Sequence, residues 1–384
     1  MTPFRIHVPD SDLEDLQRRL LSTRYPDQLE GAGWDYGMNL DVLRRFIDHW
    51  STNYDWRRRE DHYNHYPQFL GSGAGEQVHF YHVRSEYPQA VPLVLLHGYM
   101  GSVAEFREMI GPLVDPPRFG GDAGDAFHVV VPSLPGHCFS GPTRQRNFDM
   151  HRCADALAEV MANLGYEKYL VQGGDWGALI ARRIAEVYAD RLLGVHFNMI
   201  FAQPAPGEIP DMAAITEAEQ ARMSAAIERI ADGTGYMSIL STRPQTISIA
   251  HNDSPAGMAA WFLEKYQAWC DLENDDLESV FSLDQLIDNV MFYWITGTTN
   301  SSARLYFEST RKGTSALDPW SAFVKVPTGH AVYPRELLQT PRAWAEKHYN
   351  IIYWSEMPRG GHFAPFEQSE PFCDDLRRFA RLVR

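Results

Sequence analysis

The stretch Tyr169-Leu170-Val171-Gln172-Gly173-Gly174-Asp175-Trp176-Gly177 leads from an apolar segment to a carboxylate bracketed by glycines. A helix-forming run follows, Ala178-Leu179-Ile180-Ala181-Arg182-Arg183-Ile184-Ala185. A strand turning sharply into a helix is the setting of the Gly-x-nucleophile-x-Gly elbow, whose turn admits only small residues beside its apex. The apex side chain then stands above the sheet at the amino end of a helix, where negative charge is favoured. Asp at that apex changes the chemistry. A serine that attacked saturated carbon would become an ether, which water does not readily cleave. An aspartate becomes an alkyl ester, whose carbonyl a second water can attack. The elbow therefore points to attack on saturated carbon. Alone, an Asp between glycines is also an ordinary turn, so the surrounding pattern has to decide.

Outward from the elbow, strands and helices alternate. A glycine-rich turn is expected at 71–75, followed by a half-buried strand over 77–83. Apolar runs at 91–96 and 127–131 suit buried parallel strands. A helix is expected over 153–164, with further strands over 169–172 and 192–197. This rhythm indicates an α/β fold with a doubly wound, mostly parallel sheet. It breaks over 201–318, which is helix-like and aromatic, and resumes with strands at 323–326 and 351–354. A helical insertion between two parts of one sheet reads as a lid over the carboxyl ends of its strands. The first segment, to about residue 70, reads as amphipathic helices, one capped by Ser11 or Asp10 and a second over 40–50. Too thin for a core of its own, this segment is expected to wrap the main domain. The expected organisation is thus 1–75 as wrapping segment, 76–200 with 319–384 as core, and 201–318 as lid.

Composition narrows the function. The chain has 384 residues and 35 Lys+Arg against 50 Asp+Glu, a net charge of −15 that argues against nucleic acid or an anionic membrane as partner. The four cysteines, Cys138, Cys153, Cys270 and Cys373, form no Cys-x-x-Cys pair, which fits a reducing compartment without structural zinc or disulfides. His151 and Cys153 lie two apart on an expected helix and face different directions, so both read as structural. No run reaches the roughly 18 apolar residues of a membrane span, and the amino terminus lacks the layout of a signal peptide. A cytoplasmic protein is expected.

Three further pieces fall after strands. Gly360-Gly361-His362-Phe363 follows the last strand, Glu336 comes after the turn expected at Pro327-Thr328-Gly329, and His97-Gly98-Tyr99 follows the first buried strand. Asp175, Glu336 and His362 occur in the order nucleophile, acid, base, which is the order used by α/β-hydrolases. Glu308 and Asp318 are rival acids, although neither directly follows a strand.

These motifs resemble those of epoxide hydrolases of the α/β-hydrolase superfamily, in the microsomal-like group with an extra amino-terminal segment. The likeness runs from Phe4-Arg5-Ile6 through Tyr54-Asp55-Trp56-Arg57 and Pro67-Gln68-Phe69 to the last helix. Gly173-Gly174-Asp175-Trp176-Gly177, Pro327-Thr328-Gly329, Pro334-Arg335-Glu336-Leu337-Leu338 and Arg359-Gly360-Gly361-His362-Phe363 are its most specific pieces. Membrane-anchored members begin with a hydrophobic helix, and this chain resembles the soluble ones. Gly235-Tyr236-Met237 and Arg304-Leu305-Tyr306 resemble the segments carrying the two epoxide-activating tyrosines.

The resemblance implies that Asp175 attacks an epoxide carbon while Tyr236 and Tyr306 hydrogen-bond the departing oxygen. His362 would then activate water against the ester, Glu336 would orient His362, and the backbone N–H groups of Tyr99 and Trp176 would hold the oxyanion. The product would be a vicinal diol, with no cofactor or metal required. The aromatic lid suggests a small apolar or aryl epoxide, and a homodimer is the candidate assembly.

Two positions depart from the family pattern. Met100 stands where Pro usually follows His-Gly-aromatic, often with a cis peptide. A non-proline cis bond costs about 3 kcal/mol, so a trans turn with a shifted oxyanion hole is expected. Cys138 replaces a usual glycine in Leu134-Pro135-Gly136-His137-Cys138-Phe139-Ser140, where a displaced backbone is expected. Two other readings compete. A haloalkane dehalogenase also uses an elbow Asp followed by Trp, but its halide clamp commonly includes Asn where this chain has Tyr99. A non-catalytic binding protein on a hydrolase scaffold would usually have lost a catalytic member.

Overall fold

The strands are β1 (Thr2–Phe4), β2 (Gln68–Gly73), β3 (Glu76–Val83), β4 (Val91–Leu96), β5 (Phe127–Pro132), β6 (Tyr169–Gly173), β7 (Leu192–Phe197), β8 (Val324–Val332) and β9 (Tyr349–Glu356). In the computed structural model, which describes residues 1–204, 207–209, 211–311 and 322–384, they form one sheet in the order β1-β2-β3-β5-β4-β6-β7-β8-β9. From β5 to β9 all neighbours are parallel. The first three strands continue the sheet antiparallel. Asp318 and the 318/319 boundary between lid and core lie outside the described residues.

The amino-terminal segment corrects the helical expectation. It supplies β1 and β2 to the sheet edge as well as helices α1 (Asp10–Leu21), α2 (Leu40–Thr52) and α3 (Trp56–Tyr63). Neither Ser11 nor Asp10 caps α1. Pro9 precedes it without a side-chain cap, and Asp10 lies in the first turn. Asn39 caps α2 by accepting from the N–H groups of Asp41 and Val42. The turn expected at 71–75 is shorter, because Gly71 and Gly73 belong to β2. Only Ala74 and Gly75 turn, at φ 51° and 83°, the pair of positive φ angles that a two-residue hairpin needs.

Strand β4 explains the core. Leu93, Val94, Leu95 and Leu96 are all buried, as expected of a parallel strand covered on both faces. Helices α4 (Arg107–Val114), α5 (Met150–Asn163) and α6 (Asp175–Val187) follow β4, β5 and β6 in the chain. Between β7 and β8 come α7 (Glu217–Ile230), α8 (Gly235–Thr242), α9 (Pro244–Asp253), α10 (Pro255–Trp269), α11 (Leu283–Thr296) and α12 (Thr299–Thr310). Beyond β8 lie α13 (Arg342–Ala345), α14 (Ala364–Glu367) and α15 (Ser369–Ala380). Helices α5 and α6 pack against each other, as α4 does against α15.

A buried ionic cluster ties the amino-terminal segment to α11. The Arg59 guanidinium donates to both oxygens of Asp288, and the Tyr54 and Tyr63 hydroxyls donate to the same carboxylate at 2.8 and 2.9 Å. With Arg59 Nη2 also bonded to it, four donor atoms on a carboxylate without solvent exposure satisfy a charge that would otherwise be costly to bury. Pro327-Thr328-Gly329 is a second correction: it lies inside β8, which shifts register against β9 there, and forms no turn. A Cβ on Gly329 would come within 2.6 Å of the Phe379 ring, so glycine is required by close packing. Among the described residues, no helix is long and apolar enough to cross a membrane.

Candidate active site

Asp175 opens α6 directly after β6 with φ 50°, a left-handed conformation that is strained for a residue with a side chain. The flanking glycines make room for the bend. A Cβ on Gly173 would fall 2.3 Å from the Gly177 carbonyl oxygen, and one on Gly177 would fall 2.2 Å from the Leu96 carbonyl oxygen. Gly98 is equally constrained, because a Cβ there would lie 2.2 Å from Oδ1 of Asp175.

The carboxylate sits between two partners. The Tyr99 N–H donates to Asp175 Oδ1 at 2.7 Å, and His362 Nε2 lies 3.6 Å from Asp175 Oδ2. The Tyr99-Met100 peptide is cis, so the expected trans turn is not what this chain adopts. Helix α11 grips that turn: Asn289 Nδ2 donates to the Met100 carbonyl at 2.7 Å and the Tyr293 hydroxyl to the Gly101 carbonyl at 2.6 Å. Trp176 lies in the first turn of α6, where backbone N–H groups have no carbonyl one turn earlier. Its indole meets the Tyr306 ring edge-on at 4.8 Å.

His362 is presented by Gly360, at φ 115°, and by Gly361, whose Cβ would fall 2.3 Å from the Trp269 carbonyl oxygen. Its Nδ1 lies 2.8 Å from Glu336 Oε1, which also accepts from the Leu337 N–H at 2.6 Å. Burial alone would lower the imidazole pKa. The Glu336 and Asp175 carboxylates override it and hold His362 well above its usual value. Of the rival acids, Glu308 sits on α12 beside Tyr306 and shows no bond to His362.

Tyr236, on α8, and Tyr306, on α12, line the same cavity as Asp175, Trp176 and His362. Their ring centroids are 5.9 Å apart. Burial first, and the nearby Asp175 charge, raise both phenol pKa values, so each keeps its proton and can donate it in a hydrogen bond. The cavity offers about 190 Å³ to the centre of a water-sized sphere, and Leu179, Met199, Phe201, Met237, Leu337 and Leu338 supply apolar wall. Cys138 stands at φ 46° with its N–H donating to Thr298 Oγ1 at 3.0 Å. It adopts the left-handed conformation that glycine takes freely.

Several supporting residues carry little sequence signal. Glu367 accepts from the N–H groups of Asp271, Gly361 and Phe363, and Asp271 accepts from that of Gly360. Together they fasten the histidine loop to the segment after α10. Glu105 lies buried beside Gly101. Its one sequence cue is a Ser-x-x-Glu spacing from Ser102, a helix-capping pattern.

A family profile described as "Epoxide hydrolase N terminus" matches residues 1–106, and one described as "alpha/beta hydrolase fold" matches residues 91–225. Epoxide hydrolase 1 of Sus scrofa is 35% identical over 405 residues, covering 99% of this chain and 88% of that protein. The chain belongs to the epoxide hydrolase family. Juvenile hormone epoxide hydrolase from the silkworm Bombyx mori matches with a TM-score of 0.92 at 33% identity, over 100% of this chain and 94% of that one. Aspergillus niger epoxide hydrolase gives 0.87 at 30% identity, over 100% and 96%. This family membership carries the same α/β-hydrolase fold as the sheet and helices above.

Proposed function

We propose that this epoxide hydrolase works through a covalent ester on Asp175, and the observation that carries the reading is the carboxylate held between the Tyr99 N–H and His362. Asp175 Oδ2 attacks an epoxide carbon, and the electron pair of the breaking C–O bond goes to the epoxide oxygen. Tyr236 and Tyr306 donate hydrogen bonds to that oxygen, which leaves as an alkoxide and takes up a proton from solvent. Oδ1 stays against the Tyr99 N–H as the ester carbonyl. Water then loses a proton to His362 Nε2 and attacks the ester carbon, with the oxyanion on Oδ1 held by the Tyr99 and Trp176 N–H groups. Collapse breaks the ester bond, the departing diol oxygen takes the proton from His362, and the Asp175 carboxyl so formed releases its own proton to solvent to become the carboxylate again. Glu336 keeps Nδ1 protonated, so Nε2 is the free base.

Helices α7 to α12 act as a lid on this reading, since they supply both tyrosines together with Ile230, Met237 and Trp269 of the cavity wall. That wall supports a small apolar or aryl epoxide as substrate. Intact mass of a His362→Gln variant incubated with mixed epoxides and alkyl halides tests the mechanism. A gain equal to a whole epoxide, mapped to Asp175, is expected. A gain of alkyl without halide would move the chemistry to dehalogenation, and adducts on no residue would overturn the ester mechanism.

A further inference from the structure

Behind the nucleophile lies a second, smaller cavity that the mechanism above leaves unassigned. It is lined by Gly98, Tyr99, Glu105, Asp175, Asn198 and His362 among others. The space open to the centre of a water-sized sphere is about 10 Å³, which is about what one water occupies. Glu105 is 6% exposed, and its Oε1 has no hydrogen-bond partner. A buried acceptor without a donor is costly, so native structures seldom keep one without a use. Asn198 is differently placed, since its Oδ1 already accepts from Gln172 at 2.8 Å.

A water attacking the Asp175 ester has two protons to place. One goes to His362 Nε2, and the second needs an acceptor on the same cavity wall. We propose that Glu105 is the positioning residue for this water: its Oε1 accepts the second proton's hydrogen bond, turning the water's lone pair toward the Asp175 carboxyl carbon. The inference rests on the ester mechanism proposed above. No bond to Glu105 is made or broken, and the proton that leaves the water goes to His362. Electrostatics agree with the placement. Burial pushes the Glu105 carboxyl up to about 8, with the His362 charge opposing and the Asp175 charge adding to the rise, so both reacting groups feel this side chain. A neutral acid still offers its carbonyl oxygen as acceptor.

The alternative is a purely structural carboxyl completing the Ser102-x-x-Glu105 cap. The two roles separate in single-turnover kinetics with an aryl epoxide that gives the His362→Gln adduct. Glu105→Met keeps the length but removes the acceptor. It should leave ester formation within about twofold and slow ester hydrolysis by about 10- to 100-fold, the scale of a misplaced reactant. Glu105→Gln, which keeps an acceptor, should recover most of that loss. If Glu105→Met does not fold, Glu105→Asp decides, because withdrawing the carboxyl by one methylene should slow hydrolysis selectively. Unchanged hydrolysis, or equal slowing of both steps, overturns the proposal. The ester mass on Asp175 is read in each variant, so a missing adduct points to failure of the parent mechanism instead.

Discussion

Glu336→Gln probes how the histidine is set. In the structure Glu336 Oε1 faces both His362 Nδ1 and the Leu337 N–H, while Oε2 is buried without a partner. A glutamine can keep those bonds with its carbonyl, but it loses the charge that helps hold His362 above its usual pKa. A hydrogen bond to a charged group is worth about 1.5–3 kcal/mol, or about 10- to 150-fold if it is fully expressed in the transition state. If the amide flips and its NH₂ faces Nδ1, the proton moves to Nε2 and the base is lost, as in serine triads where the loss is about 10⁴-fold. Ester hydrolysis should therefore fall by about 10²- to 10⁴-fold, while ester formation, which needs no base, stays within about threefold. Rapid-mix experiments following ester build-up and decay separate the steps. The pH profile carries a sign as well. The base form of His362 exists above its pKa, so hydrolysis rises with pH through that pKa. Removing the carboxylate lowers it, and the residual acid limb must move to lower pH. A limb that stays put or moves up, or equal loss in both steps, would refute this role for Glu336.

Other positions give sharper single outcomes. Tyr236→Phe and Tyr306→Phe should each slow ester formation by about 10²-fold, as for loss of one donor to a developing oxyanion, while decay of ester already formed is unchanged in quench-flow. Asp288→Ala strands the Arg59 guanidinium, and should lower unfolding stability by about 3–5 kcal/mol, read from the denaturant midpoint. The double variant Arg59→Met with Asp288→Met should recover part of that loss. Gly177→Ala drives a methyl to 2.2 Å from the Leu96 carbonyl oxygen and 2.8 Å from that of His97. A thermal melt should show destabilisation of about 1–3 kcal/mol or more, with the elbow shifted and ester formation reduced. A normal melt would mean that the elbow tolerates a wider turn.

The elbow, the glycine-presented histidine and the alternating core were legible because each needs residue types that sterics prescribes at fixed places. Gly177 and Gly361 are read from sequence for the reason the structure gives: backbone atoms approach too closely for a Cβ. What stayed hidden depends on partners distant in the chain. Strand β1 is three residues long and β2 carries two glycines, so neither has strand character until β3 pairs with β2. Pro327-Thr328-Gly329 has turn composition, yet pairing with β7 and β9 holds it extended. The Tyr99-Met100 peptide lacks its usual proline, and the bonds from Asn289 and Tyr293 that hold the turn come from a helix 189 and 192 residues away. Glu105 looks like a cap, and only the cavity beside it suggests more.

One consequence of the charge arrangement links the two steps of the proposed reaction. His362 lies between two carboxylates, and both raise its pKa against the effect of burial. In the free enzyme the imidazole is therefore biased toward its charged form, which pairs with Asp175 but is useless as a base. Esterification removes the Asp175 charge and, with it, one of the causes holding the proton on His362. The pKa must fall at that moment, so the base becomes available only after the ester exists. When the tetrahedral intermediate collapses, the carboxylate reappears and the imidazolium is again favoured until the diol alkoxide takes its proton. The same attack that creates the ester thus arms the group that destroys it. A direct check is the His362 imidazole titration by NMR in the free Glu105→Met variant and in its own stalled ester. The pKa should be lower in the ester, and an equal or higher value would separate the base from the nucleophile's charge.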